Sequence, residues 1–439
     1  MIQKKFLVVI ILCFLLGFGW LVAINAATGV KEAQEQAELV YQADEFYSKQ
    51  LYVRAIPLYE DALKIKTEKN DEIEMKLLRA YRDSENTDEY SALVNKRILV
   101  GLAREEEYLE CAKAFLLMGD LEAAMKIAKA GVDNLGTENL KAFYEEHRYS
   151  YYTYTTSFLE IIPTETNELM PAVDADGWHY VDNSGRIEIN GPYESATPFN
   201  ADGYGVIKKD GRFYTILSTG EKYGIDETGV SEVYALTDSH ILAKYQDKYS
   251  YYNYDFEPAA EGHQYESITK NSCGVAAVKK NGKWGIISDS GEVMVEFELE
   301  DVAINSLGQV FVDGFGMVKM DGKWCMIDTE GNVLLETDYT AVKAPESAEG
   351  YIAVMNDQNL WGFMNLEGTE VIPCTYEDAL SFSDGLAAVK GVSNWKYINK
   401  ENVVKIDLLM ENALPFHNGI AQTLMIDGVV LISLEYIEE

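Results

Sequence analysis

The sequence predicts a multidomain α + all-β protein with an N-terminal transmembrane helix over residues 1–27, an α-hairpin segment over residues 28–148 and a β-repeat domain over residues 149–439. Three observations predict this order. Residues 6–24 contain no charged side chain, the following hundred residues carry apolar side chains at helical spacing, and beyond Tyr149 bulky residues recur every 34 to 40 positions. These three patterns are typical of different kinds of structure, so the segments are treated as separate domains.

The uncharged stretch has the length of a membrane-spanning helix. A helix of its 19 residues at about 1.5 Å per residue spans roughly 28 Å, close to the thickness of a bilayer core. Lys4 and Lys5 precede it, so the positive-inside rule keeps the N-terminus in the cytoplasm and exports the remaining chain. We expect a single-pass cell-membrane protein. The alternative is a cleaved signal peptide and a secreted protein, although Ala26 and Ala27 form no clear cleavage site.

One set of apolar residues in the helical segment recurs 69 positions later, which is two periods of about 34 residues, the tetratricopeptide length. The two sets are Ala43, Phe46, Ala55, Tyr59, Ala62 and Ala112, Phe115, Ala124, Ala128, Gly131. The segment resembles tetratricopeptide-like repeats, with a degenerate middle unit around Asp71 to Val100. The resemblance implies a peptide-binding groove. The alternative, which three short hairpins favour, is a spacer and packing platform.

Beyond Tyr149 the repeated unit reads as short strands joined by glycine turns. An Asx-Gly pair such as Asn281-Gly282 precedes the strand that carries the bulky residue, and a turn such as Ser290-Gly291 follows it. Asx-Gly pairs tolerate the positive φ angles that a type I′ hairpin requires. We expect the bulky residues to be core anchors in the middle of equivalent small sheets: Trp178, Phe213, Tyr249, Trp284, Trp324, Trp361, Trp395 and Val430.

The clearest copy, GVAAVKKNGKWGIISDSGEV from Gly274, resembles the WG-repeat family of bacterial proteins. That family is marked by a Gly-Lys-Trp-Gly hairpin, followed by apolar-Ile-Pro and Tyr-acid-x-Ala segments. Only Trp284-Gly285 and Trp361-Gly362 keep the Trp-Gly pair, while the resemblance extends over about 285 residues. It implies an all-β repeat without catalytic residues and without a defined partner.

The sequence favours a β-propeller of about eight blades, with seven blades or an open β-solenoid as alternatives. The last copy stops after two strands. The segment Leu159–Pro163 precedes the first copy and matches the third strand Glu370–Pro373 of another repeat. An N-terminal strand from Leu159–Pro163 is therefore predicted to complete the last blade, which removes exposed sheet edges.

Charge and motif content exclude several functions. The formal net charge is -35, and residues 150–439 contain 18 basic and 47 acidic side chains, which disfavours nucleic-acid binding. No zinc-ligand spacing, P-loop or nucleophile elbow occurs, so we expect no cofactor, no metal and no enzymatic activity. Cys111, Cys273, Cys325 and Cys374 read as buried free thiols, with a Cys273–Cys325 or Cys325–Cys374 bridge left open.

Tyrosines are the candidate ligand contacts. Tyr251, Tyr252 and Tyr254 follow the anchor Tyr249. Because successive strand residues point to opposite faces, Tyr251 and Tyr252 are not both expected in the core, and at least one ring is expected at the surface. Exposed tyrosines contact sugars and peptides well. The alternative is simple packing between repeats.

Together these features predict a membrane-anchored, extracytoplasmic and non-catalytic scaffold that binds a protein at the cell envelope. The alternative function is binding of cell-wall or other surface carbohydrate. A third hypothesis is an enzyme without a recognisable motif, which requires a non-repeated cluster of buried polar residues in a pocket.

Overall fold

The computed structural model describes residues 30–164, 169–236, 240–258, 265–426 and 428–438. The chain divides into two compact units, residues 1–146 and residues 147–439. The anchor predicted over residues 6–24 lies outside the described residues. Among the helices of the described ranges, none is both long and apolar enough to span a bilayer.

The first unit is helical, and its described part contains seven consecutive helices. They are α1 over residues 30–48, α2 (Tyr52–Lys64), α3 (Asn70–Asp83), α4 (Thr87–Leu99), α5 (Glu105–Leu117), α6 (Leu121–Leu135) and α7 (Glu138–His147), the last of which ends at the first residue of the second unit. Asp120 caps α6, since its carboxylate accepts from the Ala123 backbone N–H at 3.0 Å. This cap lies directly after Gly119, whose φ of +79° ends α5, so the chain reverses between the two helices.

Small residues in the repeated positions allow close packing. Ala55 and Ala128 are fully buried, and a Cβ on Gly131 would lie 2.9 Å from both Tyr108 and Leu140. The middle helices lack this pattern and are joined by an ion network instead. The buried Arg97 guanidinium donates to Glu107, to Asp71 at 2.7 Å and to Glu74 at 2.8 Å.

The second unit is an eight-bladed β-propeller. It opens with β1 (Tyr151–Thr155). Blade 1 contains β2 (Glu160–Ile161), β3 (Met170–Val173), β4 (Trp178–Val181) and β5 (Ile187–Tyr193); blade 2 contains β6 (Ser195–Ala196), β7 (Tyr204–Lys209), β8 (Arg212–Leu217) and β9 (Lys222–Ile225); blade 3 contains β10 (Glu232–Leu236), β11 (Ile241–Tyr245) and β12 (Lys248–Tyr252); blade 4 contains β13 (Ser267–Ile268), β14 (Val275–Lys280), β15 (Lys283–Ser288) and β16 (Val293–Leu299).

The remaining blades follow the same antiparallel order. Blade 5 contains β17 (Asp301–Val302), β18 (Phe311–Val312), β19 (Phe315–Met320), β20 (Lys323–Asp328) and β21 (Val333–Glu336); blade 6 contains β22 (Ala341–Val342), β23 (Ile352–Met355), β24 (Trp361–Met364) and β25 (Glu370–Tyr376); blade 7 contains β26 (Asp378–Ala379), β27 (Ala387–Lys390), β28 (Trp395–Ile398) and β29 (Val404–Met410); blade 8 contains β30 (Asn412–Ala413), β31 (Ile420–Met425) and β32 (Gly428–Leu434).

An N-terminal strand closes the ring, but it is not the predicted one. β1 pairs with β32, with Thr153 opposite Ile432, whereas Glu160–Ile161 of the predicted segment forms the first strand of blade 1. The physical reason is burial. The outermost strand of a blade is partly solvated and accepts the Tyr/Thr sequence of β1, while Ile161 is 2% exposed and packs in the apolar core.

Two further details position the functional surfaces. A Tyr-acid-x-Ala segment such as Tyr193–Ala196 leads from the last strand of one blade into the short first strand of the next, so the sequence repeat and the blade begin at different positions. The longest repeat spacing, from Trp284 to Trp324, reflects an insertion in blade 5 that adds β18 against β19. Residues within or just after the first strands of blades 1 to 5 line a cavity of about 460 Å³, which places these strands around the ring centre.

Candidate functional site

The eight predicted anchors lie in the third strand of their sheets, and seven of them pack towards the next blade. In blade 8 the equivalent position is held by Val429, which pairs with Leu424 beside the hairpin and packs against blade 1, so the prediction of Val430 is wrong by one residue. Trp284 of β15 packs with Val302 and Phe311 of blade 5, and Trp361 of β24 packs with Phe382 of blade 7. Six anchors are buried, whereas Trp178 and Tyr249 are half-buried. The third strand is an inner strand of a four-stranded blade, and its anchor forms a core with the neighbouring blade.

Lysine side chains cover several of these rings. The Nζ atom of Lys343 lies 4.7 Å from the Trp361 ring centre, and that of Lys279 lies 5.5 Å from the Trp284 ring centre. Lys279 is the cross-strand partner of Trp284, and Lys208 is the partner of Phe213. The repeated lysine before the hairpin turn thus adds a cation–π contact at the blade edge.

The expectation that Tyr251 or Tyr252 reaches the surface is wrong. Tyr251 is 9% exposed and packs towards blade 4 with Ile268, whereas Tyr252 is 5% exposed and packs towards blade 2 with Phe213. Successive side chains do point to opposite faces, but both faces of a propeller blade are covered by neighbouring blades. Tyr254 is half-buried, stacks on Tyr204 with ring centres 4.5 Å apart, and accepts a hydrogen bond from Asn200.

Tyr251 nevertheless lines a cavity of about 460 Å³ between blades 2, 3, 4 and 5. Other lining side chains are His240, Asn271, Ser272, Cys273 and Asp289. The His240 and Tyr251 rings meet edge to face at 5.6 Å, and Asn271 donates to the Asp289 carboxylate. Burial lowers the pKa of His240, partly offset by Asp289, and burial raises the pKa of Tyr251. The cavity therefore presents a neutral imidazole and a protonated phenol at pH 7.

One non-repeated cluster of polar residues lies near the ring centre. Ser306 of the blade 5 insertion has its Oγ atom 2.7 Å from both Glu346 Oε2 and His417 Nε2, which come from blades 6 and 8. The backbone N–H of Ser306 also donates to Glu346 at 3.2 Å. The Ser306 hydroxyl donates to the Glu346 carboxylate, and the direction of its hydrogen bond with His417 Nε2 depends on the imidazole tautomer.

Apolar side chains are exposed at the start of the outermost strands, at repeated positions around the ring. They are Ile187 in blade 1, Tyr223 in blade 2, Val293 and Met294 in blade 4, Val333 and Leu334 in blade 5, and Val403 and Val404 in blade 7. Blades 4 and 5 approach each other beside these two pairs, because a Cβ on Gly331 would lie 2.6 Å from the Val295 side chain. We call Val293, Met294, Val333 and Leu334 the rim patch. This patch was not predicted from the sequence, although a pair of apolar residues follows the second glycine turn in both repeats that form it.

The four cysteines in the described part of the chain are free thiols, so neither of the open bridges forms. Cys111 and Cys325 are buried as expected, but Cys273 is exposed, and the Gly314 backbone N–H donates to its sulfur at 3.4 Å. Burial raises the pKa of Cys111 to about 12. Within the described ranges, no group of three or more His, Cys, Asp or Glu side chains is arranged to hold a metal ion.

No curated protein matches the chain. Among solved structures, a eukaryotic initiation factor is 11% identical, with a TM-score of 0.37 over 64% of this chain and 91% of that one. The AfRom2 CNH domain is 8% identical, with a TM-score of 0.35 over 66% and 98% of the two chains. A protein of unknown function from Bacteroides caccae is 14% identical, with a TM-score of 0.24 over 40% and 78%. Similarity this low relates the chain to none of them.

The sequence itself gives the informative similarity. Four segments match the family model described as WG containing repeat: residues 178–213, 249–284, 284–324 and 361–390. Each of them begins at one of the anchors, Trp178, Tyr249, Trp284 or Trp361. The propeller of this chain is thus built, in these four segments, from WG-type repeats.

Proposed function

We propose that this chain is a membrane-tethered, non-catalytic scaffold and that the rim of its propeller binds a partner protein at the cell envelope. The rim patch is the observation that carries the proposal. Contiguous exposed apolar side chains on a soluble domain mark interaction surfaces, whereas single ones do not. Leu334 is 55% exposed, and its neighbours in the patch come from two adjacent blades.

The charge around the rim patch indicates the kind of partner. Exposed carboxylates surround it on the same strands and turns: Glu292, Glu296, Glu298, Glu330 and Glu336. The wider domain is strongly acidic. A partner with an apolar centre and a basic margin is complementary to this surface, and the charges speed its association at low salt.

A free strand edge favours the same location. The outermost strands β16 and β21 each pair on one side only. Unpaired edges are templates for another chain, and native proteins protect them with charged residues. The glutamates of the rim fulfil that role while leaving the rim patch open to a partner whose own side chains are basic.

The polar cluster at Ser306 supports a structural role in preference to catalysis. It joins blades 5, 6 and 8 through hydrogen bonds that leave Ser306 a donor to Glu346. A nucleophilic serine has to give its proton to a base. We therefore assign this cluster to holding the ring centre together. The helical unit acts, in this proposal, as a tetratricopeptide-like platform next to the predicted anchor.

Site-specific photo-crosslinking in cells tests the proposal. A benzophenone amino acid at position 334 is expected to capture a partner, and the same group at position 392 serves as the matched control. Val392 is an equally apolar residue that is 93% exposed, outside the rim patch in blade 7. The crosslink at position 334 should weaken when Glu330→Lys and Glu336→Lys are combined, because the basic margin of the partner is then repelled.

Two results would reject the rim as the binding surface. One is equal crosslinking at positions 334 and 392, which indicates unspecific contact. The other is a crosslink at position 334 that is unchanged by the charge reversals and by added salt.

A further inference from the structure

The turn between α4 and α5 exposes three apolar side chains, Leu99, Val100 and Leu102, of which Leu99 is 86% exposed. The turn is held by its backbone. The Leu102 N–H donates to the Arg97 carbonyl, and the buried Arg97 guanidinium donates to the Leu102 carbonyl at 3.1 Å. We call these three residues the turn patch. Adjacent exposed apolar side chains in a fixed turn are typical of a contact surface.

The turn patch lies at the same end of the helical unit as the start of α1. The Gln36 amide of α1 donates to Asn70 at the start of α3 at 3.3 Å. The next residue, Asp71, accepts from Arg97 near the end of α4 at 2.7 Å. These bonds join the first turns of α1 to the end of α4, where the turn patch begins. We call this end of the helical unit the α1 end.

The start of α1 ties this end to the membrane. The anchor of the proposed function ends at Ile24 and α1 begins at Val30, so five residues separate them. A segment of that length spans at most about 20 Å, because each residue adds no more than about 3.6 Å. The tether therefore keeps the α1 end close to the lipid surface.

Apolar exposure alone does not distinguish the α1 end from the opposite one. Leu117 and Met118 lie in the turn between α5 and α6 and are also exposed, Leu117 by 90%. α5 contains 13 residues, so about 20 Å of helix separates this turn from the turn patch. Two similar turns thus differ in their distance from the start of α1, and the tether brings only the turn patch beside the membrane.

The charge of the helical unit is compatible with a lipid surface. Residues 1–149 contain 19 basic and 25 acidic side chains, whereas residues 150–439 contain 18 and 47. Lys66 and Lys69 are exposed in the turn between α2 and α3, also at the α1 end, with Glu68 between them. Lysines of this kind reach lipid phosphates while apolar neighbours enter the boundary of the acyl chains.

We propose that the turn patch inserts into the surface of the bilayer and forms a second membrane contact beside the anchor. The inference rests on the tethering part of the proposed function and does not involve the rim patch. A single anchor lets the helical unit rotate about the linker. A second contact fixes the direction in which the helical unit projects from the membrane.

Photo-crosslinking to lipid tests this contact. The full chain carries a benzophenone amino acid at position 99 or at position 117 and is reconstituted into vesicles of phosphatidylethanolamine and phosphatidylglycerol. Position 117 is the matched control, because Leu117 is the same residue type with a similar exposure at the opposite end. Peptide mass spectrometry after irradiation measures the lipid adduct, and flotation of the vesicles measures anchoring separately.

Position 99 is expected to give about ten times as much lipid adduct as position 117, since transfer of one leucine-sized side chain from water into an apolar phase is worth at least such a factor. Val100→Asp combined with Leu102→Asp should reduce the adduct at position 99 to the level of the control. Both substituted side chains are exposed, so the helical unit should still fold.

A matched pair of substitutions at the opposite end controls for added charge. Leu51 and Val53 are exposed apolar residues at the turn between α1 and α2. Leu51→Asp combined with Val53→Asp should leave the adduct at position 99 unchanged, because this turn is separated from the α1 end by the length of a helix.

Several results would overturn the inference. Equal adducts at positions 99 and 117 in a chain that floats with the vesicles reject the turn patch and leave the tether intact. An adduct at position 99 that persists with Val100→Asp and Leu102→Asp, or that joins a second copy of the chain in place of lipid, rejects it as well. A chain that does not float overturns this inference and the tethering together, whereas the crosslink at position 334 has its own control.

Discussion

The glycine that follows tryptophan in two repeats is required by the close approach of the outermost strand. A Cβ on Gly362 would lie 2.5 Å from the Ile372 carbonyl oxygen and 2.6 Å from the Cys374 nitrogen. A Cβ on Gly285 would lie 2.9 Å from the Val295 carbonyl oxygen. Both glycines face a bulge where the pairing register shifts by two residues. The Trp-Gly pair therefore combines an anchor between blades with room for a bulge beside it.

Repeats without this glycine solve the same steric problem in other ways. In blade 1 the residue after Trp178 is His179, and the glycine is Gly191 on the opposite strand. In blade 7 the residue after Trp395 is Lys396, and Leu409 on the opposite strand adopts a φ of +55°. Blade 5 has Cys325 paired directly with Glu336 and no bulge at that point.

Substitution of this glycine should destabilise the propeller. Gly362→Ala is expected to lower the free energy of unfolding by about 3 kcal/mol, because backbone atoms have to move to make room for the methyl group. Gly391→Ala is the matched control, since a Cβ there meets no atom within 4 Å. Urea unfolding of the two variants measures the difference. Equal stability of both variants would show that the close approach does not govern the choice of glycine.

Asp384 should give the propeller an unusual pH dependence. Burial raises the pKa of this carboxyl and Glu349 adds to the rise, while the Gly419 N–H at 2.7 Å and His417 lower it. A raised folded-state pKa means that the folded protein binds the proton more tightly than the unfolded chain. This group therefore lowers stability as the pH rises from the unfolded pKa through the folded one.

Asp384→Asn is expected to increase the free energy of unfolding at pH 7, because it removes the buried charge and keeps an oxygen that accepts from Gly419. The gain should shrink as the pH falls from 7 towards 4, because the Asp384 carboxyl of the unchanged chain takes up its proton at a higher pH in the folded state than in the unfolded state. Urea unfolding of both proteins at the two pH values provides the measurement. A loss of stability at pH 7, or a gain independent of pH, contradicts the assignment.

At the scale of elements, β1 closes the ring by pairing with β32 of blade 8. The Thr156 N–H donates to the Val429 carbonyl and the Glu435 N–H donates to the Ser150 carbonyl. In an antiparallel ladder the bonded positions alternate, which places the N–H of Tyr152 in the ladder and that of Thr153 on the free edge. Proline at the two positions should therefore act differently, since it removes the donor.

Tyr152→Pro should destabilise the propeller by about 1–3 kcal/mol, because the Ser433 carbonyl loses its donor. Thr153→Pro should cost less, and Tyr152→Ala separates the contribution of the side chain. Thermal unfolding together with limited proteolysis of the N-terminal strand measures the effect. Should Thr153→Pro be the more damaging change, the ladder register of β1 would be different from the one described.

The repeat and its length could be predicted from the sequence, but not which strands of neighbouring repeats form one blade. The spacing of the bulky residues identified eight units, and eight blades are found, because seven anchors pack against the next blade and Val429, one residue before the predicted Val430, does so in blade 8. The closing strand was misassigned, since Leu159–Pro163 resembles a later strand in composition, while pairing in a ring depends on which segment reaches the last blade. The Tyr251–Tyr252 error arose because strand alternation does not reveal what covers the second face.

The cavity and the central cluster could not be predicted because they assemble distant residues. Ser306 and His417 are 111 positions apart, and neither belongs to a motif. Their meeting depends on the blade 5 insertion, whose length was visible only as the one spacing of 40 residues. A repeat pattern shows only what the copies have in common. The Ser306 cluster depends on a segment that only one copy contains, so the pattern does not predict it.

At the scale of the whole molecule, the proposed function makes the predicted anchor over residues 6–24 decide where the acidic propeller meets its partner. A tethered domain meets its partner within the reach of its anchor, which raises the effective concentration of any partner in the same envelope. The exposed Cys273 and the buried Cys111 and Cys325 allow the side of the membrane to be tested chemically.

The full chain is expected in the membrane fraction, with Cys273 labelled by an impermeant maleimide in intact cells. Arginine at positions Leu15 and Leu16 should release it, since each charge near the centre of the span costs about 2.5–3.5 kcal/mol on insertion scales. Leu15→Ile with Leu16→Ile is the control for packing and should stay bound. Cys273→Ser should abolish the fast labelling, because the other described thiols are buried or half-buried. An unanchored full chain, or labelling that appears only after lysis, would reject tethering on the outer side of the membrane and with it the envelope as the place where the rim patch acts.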